Sequence, residues 1–72
     1  MYVVEIKYIS KENNEEHYYY FGKENKVTKN LSENFIKKYG YKTIANAVRN
    51  YHYQNVEDDK FFSKVSQIVK VG

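Results

Sequence analysis

The sequence contains no cysteine, no proline and no tryptophan. It has only three glycines, one methionine and, among twelve basic residues, a single arginine, Arg49. Each shortage excludes something. Without cysteine there is neither a disulfide nor a thiolate zinc site. The only two histidines, His17 and His52, are too few and too far apart to supply a zinc ligand set. Gly22, Gly40 and Gly72 are isolated, so no glycine-rich loop cradles a phosphate. No segment approaches the ~20 consecutive apolar residues of a membrane span. The opening MYVVEIKYIS places Glu5 and Lys7 where a secretory leader needs an unbroken apolar stretch. The densest acidic run, EDD at 57–59, lacks the glycine of a calcium loop and has no nucleophile–base pair nearby. It reads as a solvated turn, or as the acidic first turn of a short helix before Phe61 and Phe62. The expectation is a cytosolic chain with no metal, no cofactor, no catalytic residues and no membrane partner: not an enzyme.

What remains is a lysine- and tyrosine-rich chain. Seventy-two residues make one domain, 1–72. A chain of this size buries only roughly 60% of its unfolded surface, so the core is thin. Nine tyrosines and four phenylalanines compensate, because each ring buries a large area. The net charge is +3, carried by lysine. Lysine in place of arginine has two readings. A nucleic-acid surface usually employs arginine for bidentate contacts, whereas a chain this rich in Asn, Ile, Tyr and Phe reflects AT-rich coding.

YVVEIKYI at 2–9 alternates as a strand, with Tyr2, Val4, Ile6 and Tyr8 on one side. SKENNEE follows, and a two-residue turn at Asn13-Asn14 predicts a hairpin with HYYYF as the return strand. That turn places Ile6 opposite Phe21, Tyr8 opposite Tyr19, Lys7 opposite Tyr20 and Lys11 opposite Glu16. Val27 and Thr28 form a short third strand. Asn30 with Glu33 reads as a capping box for a first helix, which Gly40 closes in the left-handed conformation. YKTIANAVRNYHYQ at 41–54 is a second helix capped by Thr43, with His52 near its end. Its apolar face is Ile44, Ala47, Val48 and Tyr51, so Val48→Asp would bury a charge and unfold the domain. KVSQIVKV at 64–71 closes the chain as a strand with Val65, Gln67, Val69 and Val71 on one side. The fold class is α+β: an antiparallel sheet of three or four strands in ββ(β)ααβ order, with two helices packed on one face.

HYYYF puts four aromatics in succession, and a strand cannot bury them all. Tyr19 and Phe21 fall on the core side, leaving Tyr18 and Tyr20 outward beside Lys7. Outward tyrosines serve as protein-interface anchors, stack unpaired bases when lysines accompany them, or are ordinary edge-strand tyrosines; alternatively these rings pack under the helices and the other face is the exposed one. A second candidate surface is the polar face of the second helix with Lys42, Asn46 and Arg49. Helix, Gly40, short turn and helix there also suggest a helix-turn-helix, but Ile36 stands where that motif carries a small residue.

The segment YYYFGKENKVTKNLSENFIKK and the following YKTIANAV, together about Tyr18 to Val48, resemble small accessory proteins encoded by phages and mobile elements of low-GC Gram-positive bacteria. Those proteins run strand, turn, tyrosine pair and glycine, a short polar strand, then a helix leading to an alanine-containing helix. The chain departs from that pattern at SEN, 32–34, where such proteins often place alanine. The resemblance implies a cytoplasmic protein of a bacterial host cell, a monomer or small homo-oligomer. It would bind and block a host protein or ribonucleoprotein, as anti-CRISPR and other anti-defence proteins do. The alternative is a small basic nucleic-acid-binding protein.

Overall fold

The structure, a computed structural model, describes residues 1–51 and 56–72. Alternation of apolar and polar side chains makes Tyr2–Ser10 a strand, β1, and Glu16–Phe21 a second, β2. They pair antiparallel through a wider loop than the two-residue turn expected. The Ser10 N–H donates to the Glu15 carbonyl at 3.0 Å and the Asn14 N–H to the Ser10 carbonyl at 2.9 Å, which leaves residues 11–14 in the loop. A two-residue type I′ turn needs positive φ at both central positions. Here Asn14 takes φ 58° and Asn13 does not. Asn13 instead accepts the Glu15 N–H on its Oδ1 at 3.0 Å.

The register therefore moves by two residues. Val4 lies opposite Phe21, Glu5 opposite Tyr20, Ile6 opposite Tyr19 and Lys7 opposite Tyr18. A slip of two, unlike a slip of one, leaves every side chain on its original side of the sheet. The Lys11–Glu16 pair is not formed. Glu16 is bound by Lys7 at 3.0 Å, and Lys11 reaches Glu57 at 3.1 Å.

The chain continues through a turn at Lys23–Asn25, β3 (Val27–Thr28), α1 (Glu33–Tyr39), α2 (Ile44–Tyr51), β4 (Val56–Glu57) and β5 (Phe61–Lys70). The sheet is antiparallel in the order β3-β2-β1-β5-β4. The fold is α+β, with β4 adding a two-residue edge strand beyond the three or four strands expected. Phe61 and Phe62, expected in a loop or helical turn, begin β5. β5 does not alternate evenly. Glu5 pairs with Gln67 and Ile6 with Val65, so Ser66 is a bulge without a partner of its own. The bulge moves Val65 away from Gln67 and Val69 and onto the core side with Ile68.

α1 is capped by Ser32, whose Oγ accepts the Phe35 N–H at 3.1 Å. Asn30 is not the cap because its backbone is held in a turn by the Thr28 hydroxyl, at 3.2 Å from its N–H and 3.0 Å from its carbonyl. Gly40 is extended, φ −65°, not left-handed. Glycine is required there by crowding, since a Cβ would sit 2.5 Å from the Ile36 carbonyl oxygen. Thr43 does cap α2, accepting the Asn46 N–H at 3.2 Å. The expected continuation of that helix through Gln54, with His52 near its end, lies outside the described residues, as does the side chain of Tyr51.

The core gathers Val4, Ile6, Phe21, Tyr41 and Ala47, with Tyr2, Val65 and Ile68 packed against it. Tyr41 is fixed three ways. Its N–H and C=O both bond to Tyr2 at 2.7 Å, and its hydroxyl donates to the Gly22 carbonyl at 3.0 Å. α2 lies on β1 and β5 through Ala47, which is wholly buried, while Ile44 and Val48 remain 55% and 38% exposed. The smallest residue makes the contact because it lets the helix backbone approach the sheet, and its larger neighbours flank the seam. Val48→Asp then leaves its carboxylate in water. The expected cost is about 1 kcal/mol or less, as for surface substitutions. A loss of about 3 kcal/mol or more in urea unfolding would show that Val48 is a core residue after all.

Candidate binding face

Strand alternation puts Tyr18 and Tyr20 of β2 on the side of the sheet away from α2, together with Glu5 and Lys7 of β1 and Lys64 and Gln67 of β5. This side is closed at one end, where Val3 is fully buried. Toward the hairpin it opens. Tyr18 is 44% exposed, Lys64 and Gln67 are exposed, and Lys7, Tyr20, Ile9 and Phe62 are half-buried. Lys7, Tyr18 and Tyr20 are thus brought together as the alternation predicts. Lys42, Asn46 and Arg49 are exposed but belong to α2 and the segment before it, on the opposite side of the sheet. The six candidate residues form two surfaces, not one.

Sequence reading missed the contribution of β5. Phe62 and Gln67 complete the open face, and only the register of a strand distant in sequence could have placed them there. It also overrated two tyrosines as core. Tyr8 and Tyr19 are half-buried in an aromatic cluster at the hairpin end of the α2 side. Tyr8 stacks on Phe61 at 5.1 Å and meets Tyr19 edge-on at 6.0 Å. His17 stands 6.3 Å from Tyr8 and 3.5 Å from a Glu15 carboxylate oxygen.

The electrostatics of the open face are balanced. Lys7 is bound by Glu16, and the hydrogen bond and charge of that carboxylate push the Lys7 ammonium pKa above its usual value. Glu5 accepts a hydrogen bond from Gln67 Nε2 at 3.2 Å. Desolvation, followed by the charge of Glu5 and a hydrogen bond to it, raises the Tyr20 phenol. Burial alone raises Tyr41. In all three groups the folded state holds the proton longer than the unfolded chain does. Their contribution to stability is therefore complete below the unfolded values, near pH 10, and is lost as pH rises through the folded ones. Thermal melts should hold steady from neutrality to about pH 9 and fall above about pH 10. A melting temperature that climbs over that alkaline range would contradict these assignments.

No three His, Asp or Glu side chains among the described residues converge as metal ligands. An open recess of about 370 Å³ lies between α1 and the chain ends, lined by Met1, Glu33, Ile36, Lys37 and Gly72. It brings together no nucleophile and base. Among the described residues no helix is long and apolar enough to cross a membrane. No protein-family model, curated protein or solved structure matches the chain.

Proposed function

We propose that this is a non-catalytic binding protein that attaches to a host protein or ribonucleoprotein through the open sheet face around Tyr18 and Tyr20, with Lys7 at its centre. In this reading it is an inhibitor of phage or mobile-element origin, of the anti-CRISPR or anti-defence type, acting in the cytoplasm of a bacterial host cell. The observation that carries the reading is the pairing of outward tyrosines with neutralised charge. Tyr18 lies directly opposite Lys7, whose charge is already met by Glu16 at 3.0 Å. Protein interfaces are depleted of charge at their centres and enriched in tyrosine, whose rigid ring and polar tip give large contact at low entropic cost. The same pairing counts against the alternative, a nucleic-acid-binding face of exposed tyrosines and lysines, because it leaves Lys64 as the one lysine described on this face without a carboxylate partner. Such a face needs unpaired cations to displace counterions from phosphates.

Capture of partners from a lysate of a low-GC Gram-positive bacterium tests the reading. The tagged wild-type chain should retain one defined host protein or ribonucleoprotein in stoichiometric amount. Tyr18→Ser/Tyr20→Ser should fold normally and lose at least about 30-fold in affinity, the equivalent of one interface hot spot. Undiminished capture by the folded double variant would remove the site from this face.

A further inference from the structure

Charge is sorted to the two ends of the sheet. The molecule is elongated, 36 × 22 × 18 Å, and a strand the length of β5 spans most of the long axis. At one end the β1–β2 and β4–β5 loops meet, with Lys11 N–H bonded to the Lys60 carbonyl at 2.9 Å. Segments 11–16 and 57–60 hold six acidic residues and two lysines. The opposite end reverses the count. Lys23, Lys26, Lys37, Lys38, Lys42 and Lys70 stand there against Glu24 and Glu33. Several contacts hold them at one end. α1 packs on the turn that carries Lys23, and Lys26 Nζ lies 5.9 Å from the Tyr39 ring centre. Lys70 is paired with Tyr2, which bridges to Tyr41 beside Lys42.

Among the described residues the lysine ion pairs all lie away from the α1 end, although Lys60 at the acidic end forms none. Lys11, at the acidic end, has a carboxylate at 3.1 Å, and Lys7 on the open face has one at 3.0 Å. Among the described residues none of the six lysines at the α1 end forms an ion pair. Five of them, Lys23, Lys37, Lys38, Lys42 and Lys70, are exposed and make no aromatic contact either.

We infer that the α1 end is a docking surface for the phosphate backbone of a nucleic acid, distinct from the tyrosine face. Unpaired lysines spread over a surface act as point charges that gain by releasing phosphate counterions, without demanding the bidentate geometry that arginine would impose. The half-buried rings of Phe35 and Tyr39, 5.2 Å apart, lie among these lysines and offer a base a stacking surface. Binding at this end is therefore insensitive to sequence. The acidic end, turned away, orients the chain as it approaches.

Fluorescence anisotropy with a labelled oligothymidylate of about 20 nucleotides, titrated between about 50 and 200 mM salt, tests this. The wild type should bind with an affinity that falls steeply with salt. Lys37→Gln/Lys38→Gln should reduce the slope of the log–log plot by about 1.4, near 0.7 per phosphate contact on a single strand. Lys11→Gln/Lys60→Gln, at the acidic end, should leave the slope unchanged. Failure of the wild type to bind at about 50 mM salt, equal loss in both lysine variants, or equally tight binding of poly-glutamate would each overturn the inference. So would salt-sensitive self-association in sedimentation velocity that Lys37→Gln/Lys38→Gln abolishes, since a second copy's acidic end would then be the occupant. Tyr18→Ser/Tyr20→Ser should keep full oligonucleotide binding, so this surface and the tyrosine face can fail separately.

Discussion

Phe21→Ala is expected to lower the melting temperature by about 15–30 °C, the consequence of losing roughly 3–5 kcal/mol from a domain of this size. Phe21 is 4% exposed, lies opposite Val4 and shares the core with Ile6, Tyr41 and Ala47. Stability near 0.1 kcal/mol per residue leaves the whole chain only about 7 kcal/mol. One truncation therefore removes about half of it, and no second apolar layer is available to collapse into the cavity. Tyr19→Ala should cost distinctly less, because its ring sits in the half-buried cluster with Tyr8. Equal losses at Phe21 and Tyr19 would mean that both rings are core.

Gly22→Ala should cost in the upper part of the range of about 1–3 kcal/mol seen when a packed site is overfilled. Gly22 has φ −130°, a conformation open to any residue, so backbone strain is not the reason. A Cβ there would lie 2.4 Å from the Tyr39 carbonyl oxygen and 2.9 Å from Tyr39 Cβ. The obstacle is the end of α1 itself, which cannot rotate aside as a side chain would. α1 must back away from the turn. The displacement would also reach Tyr41, whose hydroxyl bonds the Gly22 carbonyl at 3.0 Å. Thermal melts of the alanine variant decide the matter. A neutral substitution would mean that α1 is not docked on this turn.

The parts of this fold that were legible in the sequence are those governed by local periodicity. The two sides of β1 and β2 could be read correctly even though the loop was read two residues too short, because an even slip preserves side. Loop length was not legible, since it depended on which of two asparagines adopts positive φ. In α2 the apolar spacing of Ile44, Ala47, Val48 and Tyr51 suggested a broad buried face. Among Ile44, Ala47 and Val48 packing selected Ala47, because close approach of the helix to β1 rewards the small residue. The Ser66 bulge had no signal, as an extra residue in a strand looks like any other until its partner is known. At the site, Lys7, Tyr18 and Tyr20 were legible for the same reason as the strands. The neutralisation of Lys7 by Glu16 was not, because it follows from the hairpin register. Neither was the sorting of lysines to one end, which appears only when Lys70, Lys42 and Lys23 are brought together from distant parts of the chain.

The central claim is that the Tyr18–Tyr20 side of the sheet is the surface a partner covers. Tyrosine-selective nitration, mapped by mass spectrometry on the free protein and on its complex with the captured partner, addresses it most directly. In the free chain Tyr18 should react readily, Tyr20 more slowly and the buried Tyr41 hardly at all. In the complex Tyr18 and Tyr20 should become protected while Tyr41 is unchanged. Tyr18 and Tyr20 remaining as reactive in the complex as in the free chain would contradict the account and leave the exposed side of α2, with Lys42, Asn46 and Arg49, as the surface to examine.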